Sequence, residues 1–402
     1  MEIVIIKLSA IGDVIHTLPA LELLHRHFPE SRITWVVEEK AAGIVSGHPS
    51  INKVIVSKRK QWIADLRMLS RWYPVFKEVR FFLRELRATN YDLVIDFQGL
   101  FKSAILVLLS RGVRKVGYDK TRELSYLVLT HKISSPPMDQ HAVTRNIGLV
   151  NALCQLSSEA QSPFPGAYTT TAFYAERAHT KTPSLSSMQH IPDGFIIAIG
   201  EGDRRNVECL LQDVGIGELK PLVVVNAPAG WETKRWEMQK MAALSDRLIE
   251  RYDAHLIYTG TSNDSPYINA ILSFMEHPAV NAAGRTSLKE LACLMKRADL
   301  LITTDSGPMH LASAMGTPLV AIFGPTAPWR TGPYSAHAQI LRQHVPCGPC
   351  FKKKCSSMMC MHGIGVEDVI ESVEKLMGVR KTKGDTLQEN VLRGYSSFDY
   401  KG

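Results

Sequence analysis

The chain of 402 residues has no long hydrophobic run. Its longest apolar stretches, such as Ile105 to Leu109, fall far short of the roughly 20 residues that span a bilayer. The opening segment, Met1-Glu2-Ile3-Val4-Ile5-Ile6-Lys7, has neither a basic n-region nor a small-residue cleavage site, so no leader is read and a cytoplasmic location is expected. The G-x-G-x-x-G fingerprint is missing after the first apolar strand, which argues against a nicotinamide oxidoreductase. Walker spacing is missing too, which argues against ATP hydrolysis. No RNP, zinc-finger or helix-turn-helix signature occurs, and the basic residues are not arrayed with aromatics, so no nucleic-acid partner is expected. No short-period repeat is visible.

What is present is ordinary globular composition, 45% hydrophobic and 21% charged, with a net charge of +8. The excess of positive charge is either a solvated surface or an attraction to an acidic substrate or anionic membrane face. The length exceeds one ordinary core, so two domains are expected. Short apolar runs alternate with amphipathic stretches. Strands are predicted at Ile3–Leu8, Ile33–Val37, Val54–Val56, Leu93–Phe97 and Lys115–Tyr118, then at Leu222–Asn226, His255–Thr259, Val280–Ala283, Leu300–Thr303 and Pro318–Phe323. Helices are predicted between them, for example at Leu18–Phe28, Phe76–Leu86, Met238–Tyr252, Ser287–Arg297 and Met309–Met315. This alternation predicts two doubly wound α/β domains with parallel sheets. The Ser-, Thr-, Pro- and Ala-rich region from about Ser157 to Pro192 breaks the rhythm. The expected division is 1–165, a linker or insert at 166–194, 195–380, and a tail at 381–402 that either packs back on the first domain or frays.

Three segments carry chemistry. In Thr303-Thr304-Asp305-Ser306-Gly307-Pro308-Met309-His310, an apolar strand ends in two residue types that cap helices, Asp305 and Ser306. Gly307 permits close backbone approach and Pro308 suits a first helical turn. A helix N-terminus there offers free N–H groups to a phosphate. In Lys7-Leu8-Ser9-Ala10-Ile11-Gly12-Asp13, the chain leaves the first strand at the sheet edge where ligands bind. Pro19 predicts that the regular helix begins near Thr17, leaving Asp13 in a turn. Asp13 then either faces a cleft or caps the helix. In Asn226-Ala227-Pro228-Ala229-Gly230-Trp231-Glu232-Thr233-Lys234-Arg235, a loop leaves another strand. Its Lys234 and Arg235 either neutralise a diphosphate or form a solvated basic loop.

Taken in order, Lys7 to Leu21, Asp96-Phe97-Gln98-Gly99-Leu100-Phe101-Lys102-Ser103, Lys234-Arg235-Trp236, Asp305 to His310 and Phe323-Gly324-Pro325-Thr326 resemble glycosyltransferase family 9, the lipopolysaccharide heptosyltransferases. Trp35-Val36-Val37-Glu38-Glu39, Thr121-Arg122-Glu123 and Gln140-His141-Ala142-Val143 are most similar to its heptosyltransferase I branch. The resemblance implies the GT-B fold, with two Rossmann-like domains facing each other across a cleft. It implies inverting transfer of L-glycero-D-manno-heptose from ADP-heptose to the Kdo residue of Kdo-lipid A, with no metal ion and no cofactor. The first domain would bind the acceptor and the second the nucleotide sugar. Asp13 matches the general base and Lys234 the diphosphate-binding lysine. Asp305, Ser306, Gly307, Met309 and His310 fall in the phosphate loop.

Asp264 follows the second strand of the nucleotide domain. There it either accepts from ribose hydroxyls or caps the next helix. Lys58, Arg59, Lys60 and Arg122 are candidates for the acceptor's carboxylates and phosphates, or else an ordinary exposed loop. An acidic, lipid-held acceptor implies peripheral docking on the cytoplasmic face of the inner membrane. Two other readings stay open: the same donor with a heptose acceptor, as in the heptosyltransferase II branch, and a non-catalytic nucleotide-sugar-binding homologue. Cys347, Cys350, Cys355 and Cys360 lie close enough to invite zinc but lack the second tight pair of a zinc ribbon, so they read either as a metal site or as thiols or a labile disulfide. Cys154, Cys209 and Cys293 read as lone core residues.

Overall fold

The computed structural model describes residues 1–121, 123–159 and 195–381. The amino-terminal lobe carries strands β1 (Glu2–Ile6), β2 (Arg32–Glu38), β3 (Lys53–Ser57), β4 (Tyr91–Asp96), β5 (Gly112–Tyr118) and β6 (His131–Ile133). Its helices are α1 (Ile11–Ile15), α2 (Leu18–His27), α3 (Glu39–Val45), α4 (Arg59–Asp65), α5 (Trp72–Leu86), α6 (Phe101–Leu109) and α7 (Ala142–Glu159). The carboxyl-terminal lobe carries β7 (Leu222–Asn226), β8 (His255–Tyr258), β9 (Val280–Asn281), β10 (Leu300–Thr304), β11 (Leu319–Phe323) and β12 (Ala338–Arg342). Its helices are α8 (Glu201–Asp213), α9 (Met238–Tyr252), α10 (Ser265–Leu272), α11 (Leu288–Arg297), α12 (Gly307–Met315), α13 (Pro328–Thr331), α14 (Met359–His362) and α15 (Val366–Lys381).

Both sheets are six-stranded, in the orders β3-β2-β1-β4-β5-β6 and β12-β11-β10-β7-β8-β9. Every pairing is parallel. Counted within its own lobe, each sheet therefore reverses direction between its first and fourth strands. That reversal leaves a crevice at the carboxyl ends of those strands. β7, β10 and β11 are buried at every residue. Helices cover both faces of such sheets, so the central strands are continuous apolar runs.

Side chains alternate across the sheet. Ile3 and Ile5 join one apolar layer with α1, α2, α3 and α7, while Val4 and Ile6 join another with Trp62, Val75, Phe82 and Val107 of α4 to α6. In the second lobe, Leu222 and Val224 pack with α8, α11 and α12, whereas Val223 and Val225 pack with α9, α10 and α15. The first of these layers runs without a break from one lobe into the other. At that junction α3 meets α11, and a Cβ built on Gly43 would lie 3.3 Å from Leu288 Cβ.

All ten expected strands are present, and two more, β6 and β12, extend the outer edges. The helix predicted at Met238–Tyr252 matches α9 end to end. Ser287 turns out to be the N-cap of α11, accepting from the Glu290 N–H at 3.2 Å. The linker expected at 166–194 lies outside the described residues. So does the expected tail beyond Lys381.

Candidate active site

The crevice of the amino-terminal lobe is built by the chain leaving β1 and β4. Lys7 follows β1 and is buried; its Nζ donates to Phe97 O at 2.9 Å. Burial lowers its pKa, opposed by the carboxylates of Asp13 and Asp96. Asp96 ends β4, also buried, and accepts from Gln98 N at 2.9 Å, Gly99 N at 3.1 Å and Ser103 Oγ at 3.0 Å. Burial raises its pKa against those three donors. Gln98 Oε1 in turn accepts from Leu8 N at 3.0 Å and Ser9 N at 3.1 Å, tying the two loops together. A cavity of about 290 Å³ opens beside Lys7, Asp13, Asp96 and Asn146.

Asp13 departs from the sequence expectation. Pro19 does mark the start of α2, with Thr17 as its N-cap, but Asp13 lies inside a separate single helical turn, α1. Its Oδ2 accepts from Ala10 N at 3.0 Å, so the capping alternative is real. The residue is half-buried and lines the cavity beside Lys7, whose far wall includes Arg330 and Thr331 of the other lobe.

Across the gap, β7 and β10 end in the loops that face α1. Ser306 stands at the N-cap of α12, yet no side chain caps this helix. The Ser306 hydroxyl donates instead to Asn226 Oδ1 at 3.0 Å and lies 3.1 Å from Thr303 Oγ1. Asp305, the other expected cap, is buried. Its Oδ2 accepts from Thr326 Oγ1 at 2.7 Å and pairs with Lys234 Nζ at 2.7 Å. Lys234 also lies 4.5 Å from the centre of the Trp231 ring. The first-turn N–H groups of α12 are thus left by the side chains, with one lysine beside them, an arrangement suited to an anion.

The lobes touch at these two helix starts. A Cβ on Gly307 would lie 3.4 Å from Ile11 Cβ, and a Cβ on Gly12 would collide with the His310 ring. Gly12 is needed for that close approach. Three imidazoles line this contact: His16 lies edge-on to His310, centroids 4.3 Å apart, and to His141 at 5.2 Å. Burial, then the neighbouring rings of His310 and His141, hold His16 well below the ordinary imidazole range. Burial takes His141 down to about 4. His310 is lowered by burial and pulled back by Asp305 and Asp13.

The other expected site residues are divided. Arg59 donates to Glu38 Oε1 at 2.9 Å, Lys60 lies 3.7 Å from Oε2, and Lys102 reaches Oε1 at 3.2 Å. Burial would raise the Glu38 pKa, but Arg59 and Lys102 outweigh it and leave it lowered. Lys58 precedes α4 and is exposed. Arg122 lies outside the described residues. Asp264 stands at the N-cap position of α10 but makes no side-chain cap there; its Oδ2 turns back to accept from Thr261 N at 2.8 Å and Thr261 Oγ1 at 2.6 Å. The Met309 side chain is fully buried in the apolar layer, so this residue can offer a ligand only its backbone. Cys209 is a correction to the expected core cysteines: it is exposed, whereas Cys154 and Cys293 pack half-buried against the core. All seven cysteines are free, and among the described residues no three His, Cys, Asp or Glu side chains converge as a metal-holding group.

Glu38, Lys102, Asp96 and the histidines were legible only as parts of matching motifs. Nothing in their spacing says that Lys102 and Arg59 meet on Glu38.

A family profile described as "Glycosyltransferase family 9 (heptosyltransferase)" matches residues 79–361. The chain is 29% identical to "Lipopolysaccharide heptosyltransferase 1" of Pseudomonas aeruginosa over 89% of its own length and 88% of the relative's. Among solved structures it resembles a glycosyl transferase family 9 protein from Veillonella parvula, with a TM-score of 0.70, 25% identity, and coverage of 94% of this chain and 97% of that one. It also resembles the Escherichia coli heptosyltransferase WaaC with ADP, with a TM-score of 0.66, 23% identity, and coverage of 94% and 100%. The two facing Rossmann-like lobes, each with its strand-end loops at a crevice, are a GT-B arrangement, and the chain belongs to glycosyltransferase family 9.

Proposed function

We propose that this heptosyltransferase of lipopolysaccharide core synthesis moves L-glycero-D-manno-heptose from ADP-heptose to the Kdo residue of Kdo-lipid A, with inversion and without a metal ion. The observation that carries the reading is the pairing of opposite tasks across one gap. A carboxylate, Asp13, stands on one wall, and a lysine beside an uncapped helix start, Lys234 beside α12, stands on the other.

In this mechanism the acceptor hydroxyl enters the crevice beside Lys7 and Asp96. Asp13 takes its proton as the oxygen attacks the anomeric carbon from the face opposite the nucleotide. The bond to the diphosphate oxygen breaks, and ADP departs with the electron pair. Lys234 and the first-turn N–H groups of α12 offset that developing charge, fixed in place before the reaction begins. Asp305 holds Lys234 in position until a diphosphate takes its place. Ser306, Gly307 and His310 complete the phosphate side, and Asp264 stands toward the ribose. Arg59 and Lys60, gathered by Glu38, together with Lys58 and Arg122, attract the acidic acceptor. The donor assignment draws support from Escherichia coli WaaC, solved with ADP and with ADP-2-deoxy-2-fluoro heptose.

The test is mass analysis of products from ADP-heptose offered with Kdo-lipid A and, separately, with an acceptor already bearing one heptose. A heptosylated product from the first acceptor supports the reading. Product from the second alone would move the enzyme to the later step.

A further inference from the structure

Helix α5 is packed on one side only. Val75, Phe82 and Leu86 point into the core, and Glu78 accepts from Trp62 Nε1 at 2.8 Å. The opposite side carries Tyr73, Phe76 and Phe81, which are 66%, 62% and 61% exposed, and Trp72 at the helix start is 55% exposed. Between them on the same half of the helix lie Lys77, Arg80 and Arg84, all exposed. A helix facing water mixes acids with bases and carries few large apolar groups. This face has three aromatics, three cations and no acid.

The stripe does not stand alone. The segment before it exposes Leu66, Met68 and Leu69 together with Arg67 and Arg71. α6, in the same helical layer, exposes Phe101, Ile105 and Leu108. Single exposed apolar side chains are ordinary, but a contiguous set marks a surface that meets something. A second copy of the chain is a poor occupant, because a two-fold contact would set Lys77, Arg80 and Arg84 against themselves. Aromatic rings interleaved with cations match the boundary of an anionic bilayer, where rings lie at headgroup depth and cations meet the phosphates. Among the described residues no helix is long and apolar enough to cross a membrane.

We propose that the outer face of α4, α5 and α6 docks the enzyme on an anionic lipid surface, with α5 lying along the headgroups. Position adds a consequence that rests on the acceptor reading above. α4 begins at the carboxyl end of β3 with Arg59 on Glu38, and Phe101 precedes Lys102, which bonds the same Glu38. The docking face therefore borders the crevice edge, so a sugar carried by an embedded lipid enters beside Asp13 without leaving the membrane.

The test uses the full chain and vesicles without any acceptor. Co-sedimentation with mixed phosphatidylethanolamine and phosphatidylglycerol vesicles should show binding that weakens with salt. Pure phosphatidylcholine vesicles should bind far less. Lys77→Glu with Arg80→Glu and Arg84→Glu should weaken binding to the anionic vesicles roughly 100-fold. Phe76→Ser with Phe81→Ser should weaken it independently. Both variants should keep the wild-type unfolding temperature and the wild-type rate on a de-acylated, water-soluble acceptor. Equal binding of wild type and charge-reversed chain, or no binding by wild type, would overturn the docking face while leaving the transfer reaction standing. Loss of heptosyl transfer with vesicle binding intact would instead strike the acceptor reading. Self-association abolished by the Phe76 and Phe81 changes would give the face to a second copy and also overturn the proposal.

Discussion

At Asp13, one oxygen already has an assignment: Oδ2 accepts from Ala10 N and closes the turn that holds the residue. The carboxylate is thus positioned by its own backbone, and the proposed mechanism assigns the other oxygen to the acceptor. An asparagine keeps an acceptor for Ala10 but cannot take a proton. Asp13→Asn should therefore fold normally and bind ADP-heptose within a few-fold of wild type, while kcat falls roughly 10²- to 10⁴-fold. Calorimetric titration with the donor, paired with turnover, separates the two effects, and an unchanged kcat would remove Asp13 from the chemistry. The sequence displayed Asp13, Lys234 and Ser306 because each stands in a short run that leaves an apolar strand. It did not display Glu38 as the organiser of Arg59, Lys60 and Lys102. Arg59 and Lys60 come from α4 and Lys102 from α6, and only the packing of both helices at the end of β2 brings them together on Glu38.

At the level of elements, central strands were legible because burial on both faces forces continuous apolar runs. β6 and β12 were not. β6 has three residues, His131 to Ile133, and two of them are exposed. β12, the equivalent edge strand of the second sheet, is no more than half-buried along its length. Edge strands carry a weaker apolar signature for that reason. α1 was missed because one turn leaves no periodicity to read. The start of α11 was visible, since Ser287 and Glu290 form a reciprocal cap, with Ser287 N donating to Glu290 Oε2 at 2.7 Å. Ser287→Ala should cost about 1 kcal/mol of stability, lowering the unfolding temperature by about 2–4 °C. Donor and acceptor KM should not move. A change in KM would mean that this cap also sets the packing of the lobes.

At the scale of the molecule, acid should loosen the join between lobes. His16, His141 and His310 are buried where protonation is disfavoured. In the unfolded chain they take protons near the ordinary value of 6.5, whereas folded His141 waits until about 4. Below 6.5 the unfolded state thus binds more protons, and stability is lost as pH falls through that window. For His141 alone the loss is about 3 kcal/mol once both values have been passed. Thermal unfolding from pH 7.5 to 4 should show this decline, and His141→Gln should flatten it. Identical slopes would show that another group controls acid stability.

The meeting of α3 with α11 has a consequence for catalysis. In the proposed mechanism each lobe carries its reactive groups on a rigid sheet edge, so the distance between proton acceptor and leaving group would be set by how two solid blocks rest on each other. Gly43 is a bearing surface in that seating. A bulky wedge there, Gly43→Leu, should tilt one block away from the other without touching either substrate pocket. Affinities for each substrate measured singly should survive, while turnover falls about 10-fold or more, as expected when reacting atoms are misplaced by about an ångström. An enzyme that tolerates the wedge at full speed would have to realign its halves by some route other than this hard contact.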